Sequence, residues 1–398
     1  MTSALFLNKH RYEHFYRHGR SILPSSEVDI HMVTRTRARG GLSGWHQHPL
    51  PHVTVCDDDL DNWRAVSTWI IRNHSVGRII AVHERAVLLA AELRSEFDLP
   101  GMKFEVAELF RDKFKMKRAV RAAGAADVPE FAALNTERDL YALDWSSSRK
   151  VIKSRHGVAA KDLYIVDGLA EAQSVVRGIE LAGGAYEIEE FITGQIYHCD
   201  SVVVDGEIRF ASVGRYLADP ASYSPGGMFG TVLVLEGELQ RRIKEVSASV
   251  LKALKIQDGT THLELFHTPD DRLVFCEVAA RPPGGIIPPV IEHQYGFNIL
   301  ETQIRIDAGL DAELETSQMS EGACGFIAFY PGGPDRGIPE SCFADLGVVE
   351  HESHAGAGDG HGGVRYSTDF QDSYVVRAAD EATLASHIAS IESMRLAE

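Results

Sequence analysis

The stretch THLELFHTPDDRLVFCEVAARPPGG, residues 261–285, reads as two short strands joined by a turn. Residues 262–267 and 273–278 carry the apolar and aromatic side chains of strands, and Thr268, Pro269, Asp270, Asp271 and Arg272 between them form a polar hairpin loop. A turn centred between Asp270 and Asp271 sets Glu264 opposite Glu277. Side chains alternate along a strand, so His262, Phe266, Phe275, Ala279 and, if the chain stays extended, Arg281 share the face of the two glutamates. Like charges opposed across a sheet destabilise it, and burial beside Phe266 and Phe275 adds to the cost. A divalent cation resolves the conflict, and ligation by carboxylate oxygens suits magnesium better than zinc. Hairpin geometry alone leaves other readings open: a register shifted by one, with one glutamate in solvent, or Arg281 pairing with Glu277 as a structural ion pair.

Outward from this hairpin, the chain divides by pattern. The first hundred residues alternate short β-branched runs (30–34, His52–Cys56, 78–82) with a helical pattern at 85–97, the rhythm of a parallel α/β sheet. No G-x-G-x-x-G follows these strands, so this region reads as scaffold or substrate wall. A helix is expected from Asp112, with Met116, Ala119, Val120 and Ala123 on one face and Gly124 at its C-terminal end. Lys113, Lys117 and Arg121 line another face, which by itself reads as a solvated basic surface. A strand at 151–154 carries Lys153, a helix over about 168–182 is capped by Asp167, and a strand follows at 186–192. Residues 196–204 and 207–213 flank Asp205 and Gly206, a strong hairpin signal. Leu239, Ile243, Val246, Val250, Leu251 and Leu254 mark a long amphipathic helix. After about Gly322 the chain is rich in Gly and His between short strands, and it ends in a helix near 379–394.

The 398 residues suggest two or three units at ~100–200 residues per domain. A 44% hydrophobic and 24% charged composition is that of an ordinary globular protein. The net charge of −17, from 57 acidic and 40 basic residues, repels phosphate backbones and anionic lipid, which argues against nucleic-acid and membrane partners. Five cysteines without C-x-x-C spacing suggest neither a zinc site nor a disulfide framework and fit a reducing cytoplasm. No run approaches the ~18 apolar residues of a membrane span, and the start lacks a long apolar leader segment, so a cytoplasmic location is expected.

The segments RDKFKMKRAVRAAG, VIKS, YEIEEFITG, THLELF and LVFCEVAARPPGG, in that order, resemble the ATP-grasp superfamily, and most closely its carboxylate–amine (L-amino acid) ligase branch. The resemblance implies an α/β fold, α+β in its core. It comprises an N-terminal Rossmann-like pre-ATP-grasp domain (1–111), an ATP-grasp domain (112–309) with a mobile lid at about 125–192, and a biotin-carboxylase-like C-terminal part (310–398). It implies ATP and Mg2+ as cofactors, with Mn2+ as an allowed substitute. Small-molecule carboxylate and amine substrates would be joined through an acyl phosphate, and a homodimer is an allowed assembly.

By the same resemblance, Lys113 and Lys153 contact ATP phosphates, and Glu189, Glu190, Phe191 and Ile192 form the hinge beside the adenine. Tyr197 or His198 reaches the ribose; the alternative for His198 is a satisfied hairpin histidine, and for Phe191 and Ile192 a place in the core. Glu264 and Glu277 match the magnesium ligands, and Arg281 matches the arginine near the transferred phosphate. Gly284 and Gly285 are placed to offer backbone N–H groups to substrate, or else form a tight turn. Tyr216, Tyr223 and Met228 fall in an aperiodic stretch suited to substrate selection. Two positions depart from the superfamily pattern. The lid loop 154–161 has one glycine where several are usual, and Ala279 stands where many members place a metal-binding asparagine. Formyl or carboxyl transfer, and a silent nucleotide-binding regulator, are the rival readings.

Overall fold

The computed structural model describes residues 2–36, 38, 52–145, 149–158, 162–222, 224–314, 320–333, 337–353 and 368–396. The N-terminal sheet contains β1 (Thr2–Asn8), β2 (Val28–Arg35), β3 (His52–Cys56) and β4 (Val76–Ile80), in the order β3-β2-β1-β4 with every pairing parallel. Three of these strands were legible from composition, but the central one, β1, was not. It is buried on both faces: Ala4 and Phe6 pack with Ile30 and Met32, while Leu5 and Leu7 pack with Trp63 and Leu89. A strand covered on both sides shows a continuous apolar run instead of alternation. Helices α1 (Leu60–Asn73) and α2 (Glu84–Glu96) supply Trp63 and Leu89, and Asp59 caps α1 by accepting from the N–H groups of Asp61 and Asn62.

Two short helices, α3 (Phe104–Arg111) and α4 (Lys113–Ala122), lead out of this domain. Asp112 caps α4 through the N–H groups of Phe114 and Lys115, and Gly124 takes φ +59° beyond its end, as expected. The next sheet is antiparallel, with β5 (Phe131–Leu134), β6 (Lys150–Ser154), β7 (Leu163–Val166) and β8 (Tyr186–Glu190) in the order β5-β8-β6-β7. Helix α5 (Leu169–Gly178) packs on it through Ala172 and Val176. Here the expected boundaries are corrected. Gly168 holds the N-cap position without a side-chain bond, and the Asp167 carboxylate instead pairs with Arg149 at 2.7 Å. The helix stops at Gly178, and β8 stops at Glu190, leaving Phe191 and Ile192 beyond the strand.

The largest sheet holds β9 (Gln195–Val204), β10 (Glu207–Tyr216), β11 (Met228–Val234), β12 (Gly259–His267), β13 (Leu273–Ala279), β14 (Ala323–Phe329), β15 (Val348–Ser353) and β16 (Asp372–Ala378). Their order is β13-β12-β9-β10-β11-β14-β16-β15, all antiparallel. Asp205 and Gly206 take φ of 54° and 75°, the pair of left-handed residues that a tight hairpin turn requires. Helix α6 (Glu238–Leu254) buries Ile243, Val250, Leu251 and Leu254 against Cys199, Leu263, Leu265 and Phe275, the stripe its periodicity predicted. Helix α7 (Ile287–Tyr295) packs Ile287, Val290 and Ile291 against Val202, Phe229 and Phe326. Helix α8 (Ile299–Ala308) returns to the N-terminal sheet through Ile304 and Ala308. The last helix, α9 (Glu381–Leu396), covers the C-terminal strands through Leu384, Ile388 and Ile391. Among the described residues, no helix is long and apolar enough to cross a membrane.

Candidate active site

The β12–β13 hairpin pairs His262 with Ala279, Leu263 with Val278 and Glu264 with Glu277, then shifts so that Leu265 meets Phe275. Cys276 is the extra residue of a bulge. The expected glutamate pairing is present because two departures cancel: the turn is centred about half a residue earlier than assumed, and the bulge restores the register. The bulge also corrects the expectation for Phe275, which turns to the helix side and packs with Leu263 and Leu265. Burial pushes the Cys276 thiol up, against the opposing pull of Lys153.

Around the two glutamates lie cations from several elements. Lys113, the first residue of α4, places Nζ 3.0 Å from Glu277 and donates to the Gly157 carbonyl at 3.0 Å. Although burial works against its charge, Lys113 and Lys153 hold the Glu277 carboxyl at about 2. Lys153 on β6 reaches Glu189 at 2.6 Å; burial opposes its charge, but Glu189 lifts it well above the usual lysine range. The Arg281 guanidinium donates from Nε to Glu84 at 2.5 Å and from Nη1 to the Pro282 carbonyl at 2.7 Å. Glu84 opens α2 of the N-terminal domain and also pairs with Arg111. Arg281 thus pairs with Glu84 rather than with Glu277.

Glu264 is held from the other side. Tyr216 donates its hydroxyl to Glu264 Oε1 at 2.8 Å, and its Oη lies 3.2 Å from His262 Nε2. His262 Nδ1 lies 2.7 Å from Asp200, whose second oxygen lies 2.7 Å from His198 Nδ1. Burial opposes protonation of His262, but Asp200 raises it to about 9, so both ring nitrogens donate at neutral pH. Burial and the neighbouring Glu264 carboxylate push the Tyr216 phenol well above its ordinary value, which keeps it a donor. His198 is fully buried and is also bonded through Nε2 to Thr231 at 2.8 Å. Its cross-strand neighbour must be glycine: a Cβ on Gly214 would stand 2.1 Å from that nitrogen.

The remaining expected residues are placed as follows. Glu189 lies in the charged cluster, whereas Glu190 is the last residue of β8, where its carboxylate accepts from the Glu130 N–H at 3.4 Å. Phe191 stacks under the Arg149 guanidinium at 5.8 Å, and Ile192 is buried. Tyr197 pairs with Leu265 and points into the core under α6, away from Glu264; this corrects the expectation that it reaches a ribose. The buried His198 is a satisfied hairpin histidine, the second of its two readings. Met228 packs toward α9, and Gly284 and Gly285 lie between Arg281 and α7, with Gly285 at φ +59°. Tyr223 and loop residues 159–161 lie outside the described residues. Residues 155–157 of that loop are tied to the start of α4: Arg155 pairs with Asp112 and accepts from the Lys113 N–H at 3.0 Å, and His156 accepts from Arg111 at 2.8 Å.

The largest omission in the sequence reading is Lys117. Far from a solvated face, it is fully buried, pairing with Glu187 and with Glu189 at 2.8 Å. Glu187 faces Lys153 across the β8–β6 pair, so two lysines and two carboxylates form one closed cluster. The i, i+2 spacing of Glu187 and Glu189 on a strand, beside the strand lysine, was the available signal.

Half-buried carboxylates opposed on adjacent strands, with lysines and an arginine around them, make a site for a polyanion carrying a hard cation. The architecture has known counterparts. The chain is 25% identical over 344 residues to the L-arginine-specific L-amino acid ligase of Bacillus subtilis, covering 82% of this chain and 80% of that protein. Among solved structures, an L-amino acid ligase from Bacillus licheniformis matches at a TM-score of 0.75 and 16% identity, covering 99% of this chain and 98% of that one. The N5-carboxyaminoimidazole synthetase of Staphylococcus aureus, complexed with ADP, matches at 0.71 and 13% identity over 98% and 96%. Biotin carboxylase from Campylobacter jejuni, in a β,γ-ATP complex, matches at 0.70 and 14% over 99% and 91%. No protein-family model matches the chain. The fold is that of the ATP-grasp enzymes, and solved neighbours of this fold hold ATP or ADP. With ligases among its relatives in sequence and in structure, the chain is an ATP-dependent carboxylate–amine ligase.

Proposed function

We propose that this protein joins an amino acid, or a related small acid, to an amine through an acyl phosphate. The observation that carries the reading is the opposed pair Glu264 and Glu277 with Lys113, Lys153 and Arg281 gathered around it. The substrate carboxylate attacks the terminal phosphorus of ATP and ADP leaves; the amine then attacks the acyl carbon and phosphate leaves. No protein nucleophile is needed, so the chain contributes positioning and charge.

Lys113 and Lys153 would take the phosphates, Glu189 to Ile192 would border the adenine, and Arg281 would hold the transferred group or the substrate carboxylate. Nη2 of Arg281 makes no hydrogen bond to the described residues, which suits that task. The donor set fits magnesium: two carboxylates held at one spacing by a strand pair, one kept ionised by its lysine, with both nitrogens of nearby His262 already committed. When bound through Glu264 and Glu277, Mg2+, or Mn2+ in its place, would neutralise charge on the phosphates. Residues 216–229 and the Gly284–Gly285 backbone would select substrate, and a homodimer is the proposed assembly.

Incubation with ATP, Mg2+ and pooled amino acids, followed by phosphate assay and product mass, tests the reading. A new mass equal to two substrates less water, with one phosphate released per product, is expected. Carboxylated or formylated products would replace it with the transfer chemistry of other superfamily members. ATP binding without turnover on any pool would mark a silent regulator.

A further inference from the structure

A second cluster of metal-ligating side chains lies on the N-terminal domain, away from the site described above. Asp29 and His31 are the second and fourth residues of β2, so they point to the same face. His52, the first residue of β3, is the direct parallel partner of His31. The His31 and His52 rings stack with centroids 4.3 Å apart and planes 6° from parallel. His74, which ends α1, brings a third ring to 4.5 Å from His31. Asp29 stands between the first two: its carboxylate oxygens lie 3.4 Å from His31 Nε2 and 3.7 Å from His52 Nε2.

Zinc bound tetrahedrally at ~2.0–2.1 Å holds its ligand atoms about 3.3–3.5 Å from one another. Asp29, His31 and His52 bring their ligand atoms within 4.8 Å of one another, and the two stacked rings would have to turn their in-plane nitrogens toward a common point beside Asp29 to share an ion. The donor set of imidazole nitrogens and one carboxylate suits a borderline transition-metal dication and contrasts with the oxygen donors of the Glu264–Glu277 pair. The position is also distinct. Asp29, His31 and His52 lie toward the start of the parallel strands, whereas Glu84, the partner of Arg281, follows the end of β4. The seven residues of the central strand β1 separate the two ends of this sheet by roughly 23 Å at ~3.3 Å per residue.

We propose that Asp29, His31 and His52, with His74 or water as the fourth ligand, bind one zinc-type divalent cation that staples the edge strand β3 to β2 and to the end of α1. The cysteine pattern gave no hint of this site because its ligands come from two strands and a helix end.

The test uses full-length, tag-free, metal-stripped protein carrying Glu264→Gln and Glu277→Gln, so that the ATP site does not compete. Zinc titration by calorimetry should give one equivalent per chain, and cobalt should give the intense visible bands of a tetrahedral site. His52→Ala and Asp29→Asn should each weaken zinc binding at least tenfold and remove the zinc-dependent rise in Tm. His52 is about half exposed, at 47%, so its loss leaves the fold intact. Absence of stoichiometric binding, or unchanged binding in both variants, overturns the proposal.

Discussion

Two clusters of paired carboxylates sit close together, and they differ in closure. On the four-stranded antiparallel sheet, Glu187 and Glu189 share Lys117 and Lys153; Lys117 and Glu187 are wholly inaccessible. On the large sheet, Glu264 and Glu277 oppose one another with Lys113 on one side and Tyr216 on the other, and Glu277 keeps 36% of its side chain exposed. In the first cluster the chain itself supplies the counter-charge, and its Lys117–Glu187 side is closed off from solvent. The second is held in place but left open, so its charge is available to something from solution. Carboxylate proximity is thus common to both, and what separates structure from function is whether the protein supplies all the counter-charge.

The contrast can be broken at either end. The largest effect on turnover is expected for Glu277→Gln, which should lower kcat by about 10²–10³-fold, the range for losing one electrostatic contributor, with a smaller fall in Tm from the lost pairing with Lys113. An active variant would sink the metal assignment. Lys117→Met should do the reverse. Removing one partner of a buried ion pair costs ~3–5 kcal/mol, so denaturant unfolding should show a large loss of stability. A stable Lys117→Met protein with impaired ATP binding would show that the Lys117–Glu187–Glu189 cluster is not closed after all.

Smaller effects sharpen the picture. Tyr216→Phe deletes one hydrogen bond to Glu264, typically worth ~0.5–1.5 kcal/mol, or about 2–10-fold in an equilibrium constant. The half-saturating concentration of Mn2+, followed by its paramagnetic signal, should rise by that factor while the fold is unaffected. The smallest effect is on acid stability. The Glu277 carboxyl is depressed from 4.5 to about 2, so its contribution is complete above the unfolded value and disappears as pH falls between those limits. Glu277→Gln should therefore flatten the decline in stability between pH 4.5 and 2, measured by urea midpoints against pH.

The sequence made the hairpin legible because alternation and turn chemistry are local, and the Glu264–Glu277 pair survived a misplaced turn centre because the bulge at Cys276 compensated. That bulge is invisible in composition, and so the side taken by Phe275 was misread. Helical periodicity identified the core stripe of α4 through Met116 and Val120 but could not reveal that a sheet would cover the opposite face, where Lys117 lies. Tyr197 was misplaced for a similar reason: facing on β9 depends on its register with β12, and Leu265 rather than Glu264 is its partner. Strand β1 went unread because burial on both faces erases the two-residue period. The Asp200–His262–Tyr216 chain behind Glu264 joins residues from three strands and has no sequence spacing to announce it.

Arg281 belongs to the segment that closes the large sheet, yet its Nε is anchored by Glu84, the first residue of a helix in the N-terminal domain. Exchange of that domain between relatives is therefore not a neutral graft. A chimera joined between the two would keep every proposed ATP-site residue and still mis-aim the arginine unless position 84 travels with position 281. Recombination libraries built from such ligases should yield active members mainly where these two positions share a parent.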